Sequence, residues 1–221
     1  MIIAIDAIFA IFLISIGYIA TCYYLNGVAW NSKNVTVLNL SKNKILYLSF
    51  AVLAVTGLIT VFQSIYSLEL IAQVKLLTLI LIILPVAAID LRVQKIPNQF
   101  MLVALIIRLI IYIPEFIISV SRGWATLKDN LLGAVVIAGF FLVLLLAFKN
   151  SIGMGDIKLF AIMGLYQGLW GAINSVFFSL VVSFFVSILL LISKKKGRRD
   201  TISFGPSILL GTIIAIGLAG M

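Results

Sequence analysis

The sequence contains no histidine and only one cysteine among its 221 residues. One cysteine excludes an intrachain disulfide and any zinc site built on a cysteine pair. The lack of histidine removes the commonest general base and metal ligand. Charged residues are also scarce, at 10% of the chain. Any catalysis must therefore depend on carboxylates, lysine, tyrosine or hydroxyl groups.

Apolar residues make up 63% of the chain, and the mean hydropathy is +1.27. This composition excludes a water-soluble globular protein. Because roughly 20 apolar residues span a bilayer, the apolar runs predict an all-α transmembrane bundle of about eight helices, some of them short or broken. These runs lie near residues 2–25, 45–63, 70–89, 98–113, 130–148, 157–169, 172–193 and 204–220. We interpret residues 1–221 as a single integral membrane domain.

Positive charge is in excess, with sixteen Lys and Arg against seven Asp and Glu. Most of it falls in the odd-numbered loops, at Lys33, Lys42, Lys44, Arg92, Lys95, Lys149, Lys158, Lys194, Lys195, Lys196, Arg198 and Arg199. The positive-inside rule therefore places these loops in the cytoplasm and both termini outside. The basic run 194–199 is interpreted as a stop-transfer anchor, with a lipid-headgroup or nucleic-acid patch as the alternative.

Two of the seven acids stand apart from the others. We interpret the other five as interfacial or topological charges: Asp6, Glu69, Glu115, Asp129 and Asp200. Asp90 ends the third predicted span and Asp156 opens the sixth, so both lie at the predicted cytoplasmic boundary. Two carboxylates in a nearly dry site would share a proton. One would then act as general base on a water while the other polarises a carbonyl, which is aspartic-protease chemistry.

Each aspartate also has a purely structural interpretation. An Asp before an apolar run is commonly a helix N-cap, which applies to Asp156. Asp90 can equally be a charged marker of the membrane boundary. If the two are catalytic, the helix dipole favours Asp156 as the base, because it lies at a helix N-terminus, and Asp90 as the acid.

Glycine and proline residues beside the aspartates favour the catalytic interpretation. Gly153 and Gly155 permit positive φ and a close approach of the backbone, which a capping residue alone does not require. Pro97, followed by Asn98, turns the chain directly into the fourth span. Pro85 is expected to kink the third helix and so to aim its end.

Three segments of the sequence together resemble the type IV prepilin peptidase family. They are Ile89-Asp90 followed by Ile96-Pro97-Asn98, the run Gly153-Met154-Gly155-Asp156-Ile157-Lys158-Leu159, and Phe204-Gly205-Pro206. Gly-x-Gly-Asp alone is a short pattern, and the order and spacing of all three segments carry the resemblance. It covers the chain from about the third predicted span to the end.

The resemblance implies an aspartic endopeptidase with Asp90 and Asp156 as its catalytic pair. Such enzymes remove the basic leader from prepilin, pseudopilin or preflagellin precursors at the cytoplasmic face of a prokaryotic plasma membrane. We expect no cofactor, no metal and no nucleic acid. Many bacterial members carry paired cysteines in a long first cytoplasmic loop and also N-methylate the product. Here the corresponding residues 26–44 contain no cysteine, so the chain resembles the short members and methyltransferase activity is in doubt.

Several further residues have a functional and a structural interpretation. Lys158 either stabilises developing charge or contacts the leader, or it anchors a helix at the membrane interface. Phe204-Gly205-Pro206 is either an unwound helix entrance that binds extended substrate backbone or an ordinary helix start with proline near its first position. Arg108 is expected to extend to the interface or to pair with Glu115 or Asp6.

Gly164 and Gly168 form a small-residue face on the sixth predicted helix. This face predicts close packing against a neighbouring helix, with a homodimer interface as the alternative. Two rival functions remain open for the whole chain. A proton-coupled transporter would place its acids near the membrane midplane and would often show two related halves. A noncatalytic membrane assembly protein would cleave no precursor.

Overall fold

The computed structural model describes residues 70–148, 153–193 and 202–219, together with Thr21. These residues form five α-helices and no strand, so the all-α prediction is confirmed for them. The helices are α1 Leu70–Val93, α2 Asn98–Ile118, α3 Val120–Ala147, α4 Met154–Ile192 and α5 Gly205–Ala219. Helices α1 to α4 are each long and apolar enough to cross a membrane, and α5 is a shorter apolar helix.

The predicted count of eight helices is not recovered. The first two predicted helices, 2–25 and 45–63, lie outside the described residues, as do both termini. The sixth and seventh, 157–169 and 172–193, both lie within α4, where the non-helical backbone of Gly168, with φ 73° and ψ −174°, separates two helical parts. Essentially only glycine adopts this backbone conformation. The predicted break between these two helices is therefore found at Gly168, with no loop between the two parts.

Helix α3 begins earlier than the sequence predicts. Val120 is its first residue, so Lys128 and Asp129 lie within the helix and do not precede it. Ser119 separates α3 from α2, and its Oγ accepts a hydrogen bond of 3.5 Å from the Arg122 amide. With 28 residues, α3 is about 42 Å long and exceeds the roughly 30 Å hydrocarbon core of a bilayer. The first turns of α3, which contain charged residues, therefore remain helical and extend into the membrane interface.

Helix α1 is the most buried of the four long helices and packs against α2, α4 and α5. Its middle is apolar on every side, and the side chains of Leu79, Ile80, Ile83 and Val86 are completely buried. A helix that is apolar all round requires neighbours on all sides. The helix continues through Pro85 to Val93. It therefore carries Asp90 to its carboxyl end.

Helix α2 has one buried stripe and a wide apolar surface on its other sides. The buried residues, spaced three or four apart, are Met101, Ala104, Arg108, Ile111 and Tyr112. Large apolar side chains cover the rest of the helix, namely Leu102, Val103, Leu105, Ile106, Leu109, Ile110 and Ile113. Water-soluble proteins do not expose apolar surface on this scale. With four helices long and apolar enough to span a bilayer, the chain is an integral membrane protein.

Helix α4 turns back on itself at Gly168. The Phe160 ring lies 5.8 Å from the Phe204 ring, while Ser179 Oγ lies 3.5 Å from the Ile208 carbonyl oxygen. Phe204 and Ile208 are about 6 Å apart along the axis of α5. A straight α4 would separate their partners, Phe160 and Ser179, by about 28 Å. The helix therefore folds into a first arm, residues 154–167, and a second arm, residues 169–192.

The first arm of α4 packs closely against α3, as the glycine spacing predicts. A Cβ added at Gly164 would clash with the Ala134 backbone nitrogen and would lie 2.6 Å from the Gly133 carbonyl carbon. A Cβ at Gly133 would lie 2.7 Å from the carbonyl carbon of Gly168. Side chains larger than hydrogen would separate the two helices. The small-residue face is thus used within the chain.

Candidate active site

Asp90 faces the amino end of α5. The Gly205 amide donates a 2.8 Å hydrogen bond to Asp90 Oδ2, joining residues far apart in sequence. The aspartate is only 6% exposed. A Cβ on Gly205 would lie 3.0 Å from both Cβ and Oδ2 of Asp90, so the approach depends on glycine. The segment Phe204-Gly205-Pro206 forms the start of α5, and its Gly205 amide is hydrogen-bonded to the Asp90 carboxylate.

Asp156 lies in the first turn of α4, two residues after Met154. The N-cap of this helix is Gly153, so the interpretation of Asp156 as the N-cap is wrong. Its carboxylate instead accepts a hydrogen bond from the Gly153 backbone amide. This is the geometry of a capping box, in which the side chain of the third helical residue reaches back to the N-cap amide.

The two carboxylates belong to one cluster. Asp156 lies close enough to Asp90 for the two to interact electrostatically. Each carboxylate accepts a backbone hydrogen bond at the amino end of a helix, Asp156 from α4 and Asp90 from α5. The positive end of a helix dipole therefore acts on both. The dipole argument, which predicts Asp156 as base and Asp90 as acid, does not distinguish them in this arrangement.

Lys158 joins α4 to the start of α2 beside this cluster. Its Nζ donates a 2.9 Å hydrogen bond to Asn98 Oδ1, and both side chains are exposed. Pro97 is the N-cap of α2, with φ −72° and ψ 128°, so Asn98 is the first residue of the helix. The chain reaches this point from α1 through Gln94, which has φ 52°. Two of the sequence segments that carry the family resemblance are therefore in direct contact.

Gly155 allows the first arm of α4 to approach the segment between α1 and α2. A Cβ on Gly155 would lie 2.9 Å from Ile96 Cβ, closer than carbon atoms pack. Gly153 has an extended backbone, with φ −75°. In the described part of the chain, Gly168 is the glycine with positive φ. The expectation that Gly153 and Gly155 provide positive φ is therefore wrong, and Gly155 provides space.

A row of phenylalanine rings packs next to the carboxylates. Phe204 meets Phe160 edge to face, and Phe160 stacks on Phe141 with ring centroids 4.5 Å apart. The row joins α5, α4 and α3, and Phe160 is completely buried. Sequence reasoning does not identify Phe141 or Phe160. Apolar residues within apolar helices have no pattern that distinguishes them from lipid-facing neighbours.

Within residues 70–148, 153–193 and 202–219, no group of three or more acids and cysteines could hold a metal ion. The chemically active groups of the cluster are thus the two carboxylates, the Lys158 amine and the backbone amides at the starts of α4 and α5. Fold and site together define an integral membrane protein of apolar helices in which the charge of Asp90 acts on Asp156.

Comparison with known proteins places the chain more narrowly. The sequence profile of the type IV leader peptidase family matches residues 75–192, a segment that contains Asp90 and Asp156. The chain belongs to this family, as its sequence motifs predict. It is 32% identical over 155 residues to the prepilin leader peptidase/N-methyltransferase of Bacillus subtilis (strain 168). That match covers 67% of this chain and 56% of the relative. No solved structure matches the chain significantly.

Proposed function

We propose that the protein is an aspartic endopeptidase that removes the basic leader from type IV prepilin-like precursors, with Asp90 and Asp156 as its catalytic pair. The observation that carries this proposal is that the charge of Asp90 acts on Asp156, while each carboxylate accepts a hydrogen bond at the start of a helix. Membership of the type IV leader peptidase family supports it. The name of the Bacillus subtilis relative supports a prepilin-type substrate.

The dyad would activate water by sharing one proton between its two carboxyl groups. The ionised carboxylate takes a proton from water as the oxygen attacks the scissile carbonyl carbon. The protonated partner donates its proton to the carbonyl oxygen, giving a tetrahedral diol. As the C–N bond breaks, the carboxyl group that took the proton from water gives it to the leaving nitrogen, and the other carboxylate takes a proton from a diol hydroxyl.

The supporting residues would position the dyad and the substrate. Gly153 orients Asp156 through its amide, while Lys158 and Asn98 form a polar rim where a leader enters. Pro97 starts α2 beside that rim, and Phe204, Gly205 and Pro206 start α5 against Asp90. The mechanism uses no cofactor and no metal.

Orientation and setting belong to the same proposal. The distribution of Lys and Arg places the dyad at the cytoplasmic face of a prokaryotic plasma membrane, with the termini outside. The basic leader of a precursor would therefore meet the site on the side where precursors are made. We treat the chain as one membrane domain that acts on the leader, and N-methylation of the product is no part of the proposal.

The decisive experiment is cleavage of a defined precursor by the purified protein in lipid nanodiscs. The substrate is a peptide with a basic leader, a glycine and a hydrophobic helix, and a single cut after the leader is expected. Asp90→Asn and Asp156→Asn, made separately, should each reduce cleavage by at least about 1000-fold, because one carboxylate cannot act as both acid and base.

Asp200→Asn is the matched control, because it removes an acid predicted to lie on the same side of the membrane. It should leave cleavage unchanged. If either dyad variant inserts into the membrane normally and still cleaves, the dyad mechanism is wrong. If the unmodified, folded protein cuts none of several such precursors, the peptidase function itself is wrong and a transporter or assembly role is favoured.

A further inference from the structure

The turn in α4 breaks a backbone hydrogen bond. In a continuous α-helix the Leu169 amide would donate to the Leu165 carbonyl, four residues earlier. The backbone of Gly168, with φ 73° and ψ −174°, turns the Leu169 amide away from that carbonyl. A donor and an acceptor are thus left without their helical partners, and unpaired backbone groups at membrane depth are costly.

Two side chains from different helices replace the broken bond. Arg108 on α2 donates from Nε to the Leu165 carbonyl oxygen at 2.8 Å. Asp129 on α3 accepts from the Leu169 amide through Oδ1 at 3.4 Å. The second oxygen of Asp129 contacts Gly168 so closely that no Cβ could be added there. The Leu165 carbonyl before the turn and the Leu169 amide after it are therefore both hydrogen-bonded by side chains of other helices.

Arg108 is itself firmly held. Its two terminal nitrogens each donate a 3.0 Å hydrogen bond to Glu115, and the guanidinium carbon lies 3.8 Å from the centre of the Tyr112 ring. The side chain is 1% exposed. A planar guanidinium with all its nitrogens bound is a rigid donor. The sequence-based pairing of Arg108 with Glu115 is confirmed, and the contact with Leu165 is additional.

The first arm of α4 is joined to α2 at three levels. Lys158 bonds Asn98 near the carboxylates, and the Tyr166 hydroxyl donates to the Ala104 carbonyl oxygen at 2.8 Å. The Arg108 contact with Leu165 is the third level, next to the turn. Two of these contacts lie at the end of the arm next to the turn and one lies at its start, so α2 holds both ends of the arm. Asp156 is carried on that arm.

We propose that Arg108 and Asp129 are positioning residues that hold α4 folded at Gly168 and thereby hold Asp156 beside Asp90. Neither residue touches the reacting groups. Arg108 fixes the end of the first arm, and Asp129 fixes the start of the second. The effect on catalysis rests on the proposed function of the dyad. The folded shape of α4 is independent of that proposal.

The shape of α4 is measured first, because this readout needs no activity. Spin labels are placed at Met154→Cys and Ile192→Cys, in a Cys22→Ser background, with the protein in nanodiscs. A straight helix would separate these positions by about 57 Å, so the folded helix should give one narrow distribution at a much shorter distance. Asp129→Ala should broaden the distribution toward longer distances. Lys128→Ala, an exposed neighbour on the same helix, is the matched control and should not.

Cleavage kinetics of the unlabelled variants then test the consequence for the site. Loss of a helix cap typically costs about 1 kcal/mol, so Asp129→Ala should reduce kcat about fivefold. KM should be unchanged, because the leader does not contact Asp129. Asp129→Asn keeps an oxygen that accepts from the Leu169 amide and should restore most of kcat. Arg108→Lys, which retains the charge facing Glu115 but loses the fixed Nε donor, should behave like Asp129→Ala.

The outcomes separate the two proposals. An unchanged distance distribution in Asp129→Ala overturns the positioning role, whatever the activity of that variant. An Asp129→Asn variant as slow as Asp129→Ala also overturns it, because the lost acceptor would not then be the cause. If Asp90→Asn and Asp156→Asn retained cleavage, the proposed function would fail while the label distances still tested the fold of α4.

Discussion

The backbone amide of Gly205 and the carboxylate of Asp90 meet at 2.8 Å, joining the start of α5 to the end of α1. The next residue, Pro206, has no amide hydrogen and cannot take over this role. The orientation of Asp90 thus depends on a backbone group, which at residue 205 only a proline would remove. A larger side chain at residue 205 would displace the Asp90 carboxylate.

Gly205→Ala should impair cleavage without preventing membrane insertion. The added Cβ would lie 3.0 Å from Asp90 Cβ and Oδ2 and 3.1 Å from Ala87 Cα, so α1 and α5 must move apart. A misplacement of about 1 Å can reduce the rate of catalysis by about 100-fold. We expect a fall in kcat of about 10- to 100-fold, measured on the precursor peptide. Gly217→Ala on the same helix meets nothing within 4 Å and should retain full activity.

Gly155→Ala should be harmful for a different reason, and a second substitution should relieve it. The new Cβ would lie 2.9 Å from Ile96 Cβ, which would push the start of α4 away from the segment before α2. Ile96→Ala removes most of the opposing side chain but leaves its Cβ, so rescue should be partial. Cleavage by Gly155→Ala, Ile96→Ala and the double variant measures this. A double variant no better than Gly155→Ala alone would contradict the packing explanation.

The contact between Lys158 and Asn98 should be detectable as a coupling energy. Because both side chains are exposed, the expected coupling is modest, about 0.5 kcal/mol in the free energy of unfolding. A double-mutant cycle with Lys158→Ala and Asn98→Ala, followed by denaturant unfolding in detergent, provides the value. A lysine that only anchors its helix in the interface would show no coupling with Asn98.

Gly164→Ala should lower stability with little direct effect on the carboxylates. Its Cβ would clash with backbone atoms of Gly133 and Ala134, which cannot rotate away as a flexible side chain would. Overpacking of this kind costs about 1–3 kcal/mol. The free energy of unfolding in detergent should fall by that amount. Gly139→Ala, on α3 but with nothing within 4 Å of the new Cβ, should be neutral or slightly stabilising.

The sequence predicts the helices of this protein well where apolar runs are uninterrupted. The predicted span 70–89 and the predicted start at residue 98 correspond closely to α1 and α2. The prediction fails at α3, because Lys128 and Asp129 resemble loop residues although the helix begins at Val120. In a membrane protein the change from apolar to polar marks the depth of the interface. It does not mark the end of hydrogen-bonded helix.

The acids of the candidate site are evident from sequence, but their surroundings are not. Asp90 and Asp156 stand out because so few residues in this chain can titrate. Of the two reasons for the glycines beside Asp156, the close approach is confirmed at Gly155 and the positive φ is wrong, because sequence alone does not distinguish a need for positive φ from a need for space. The capping of Gly168 by Arg108 and Asp129 has no local signal at all. It depends on how three helices meet, which only the tertiary structure shows.

The bond between Gly205 and Asp90 has a consequence for biosynthesis. Asp90, Asp156 and Gly205 enter the membrane in that order as the chain is made, and the amide that orients Asp90 comes last. A nascent chain that has inserted α1 to α4 already holds both carboxylates but lacks this amide. On the proposed function, the chain is therefore expected to remain inactive until α5 has docked against α1.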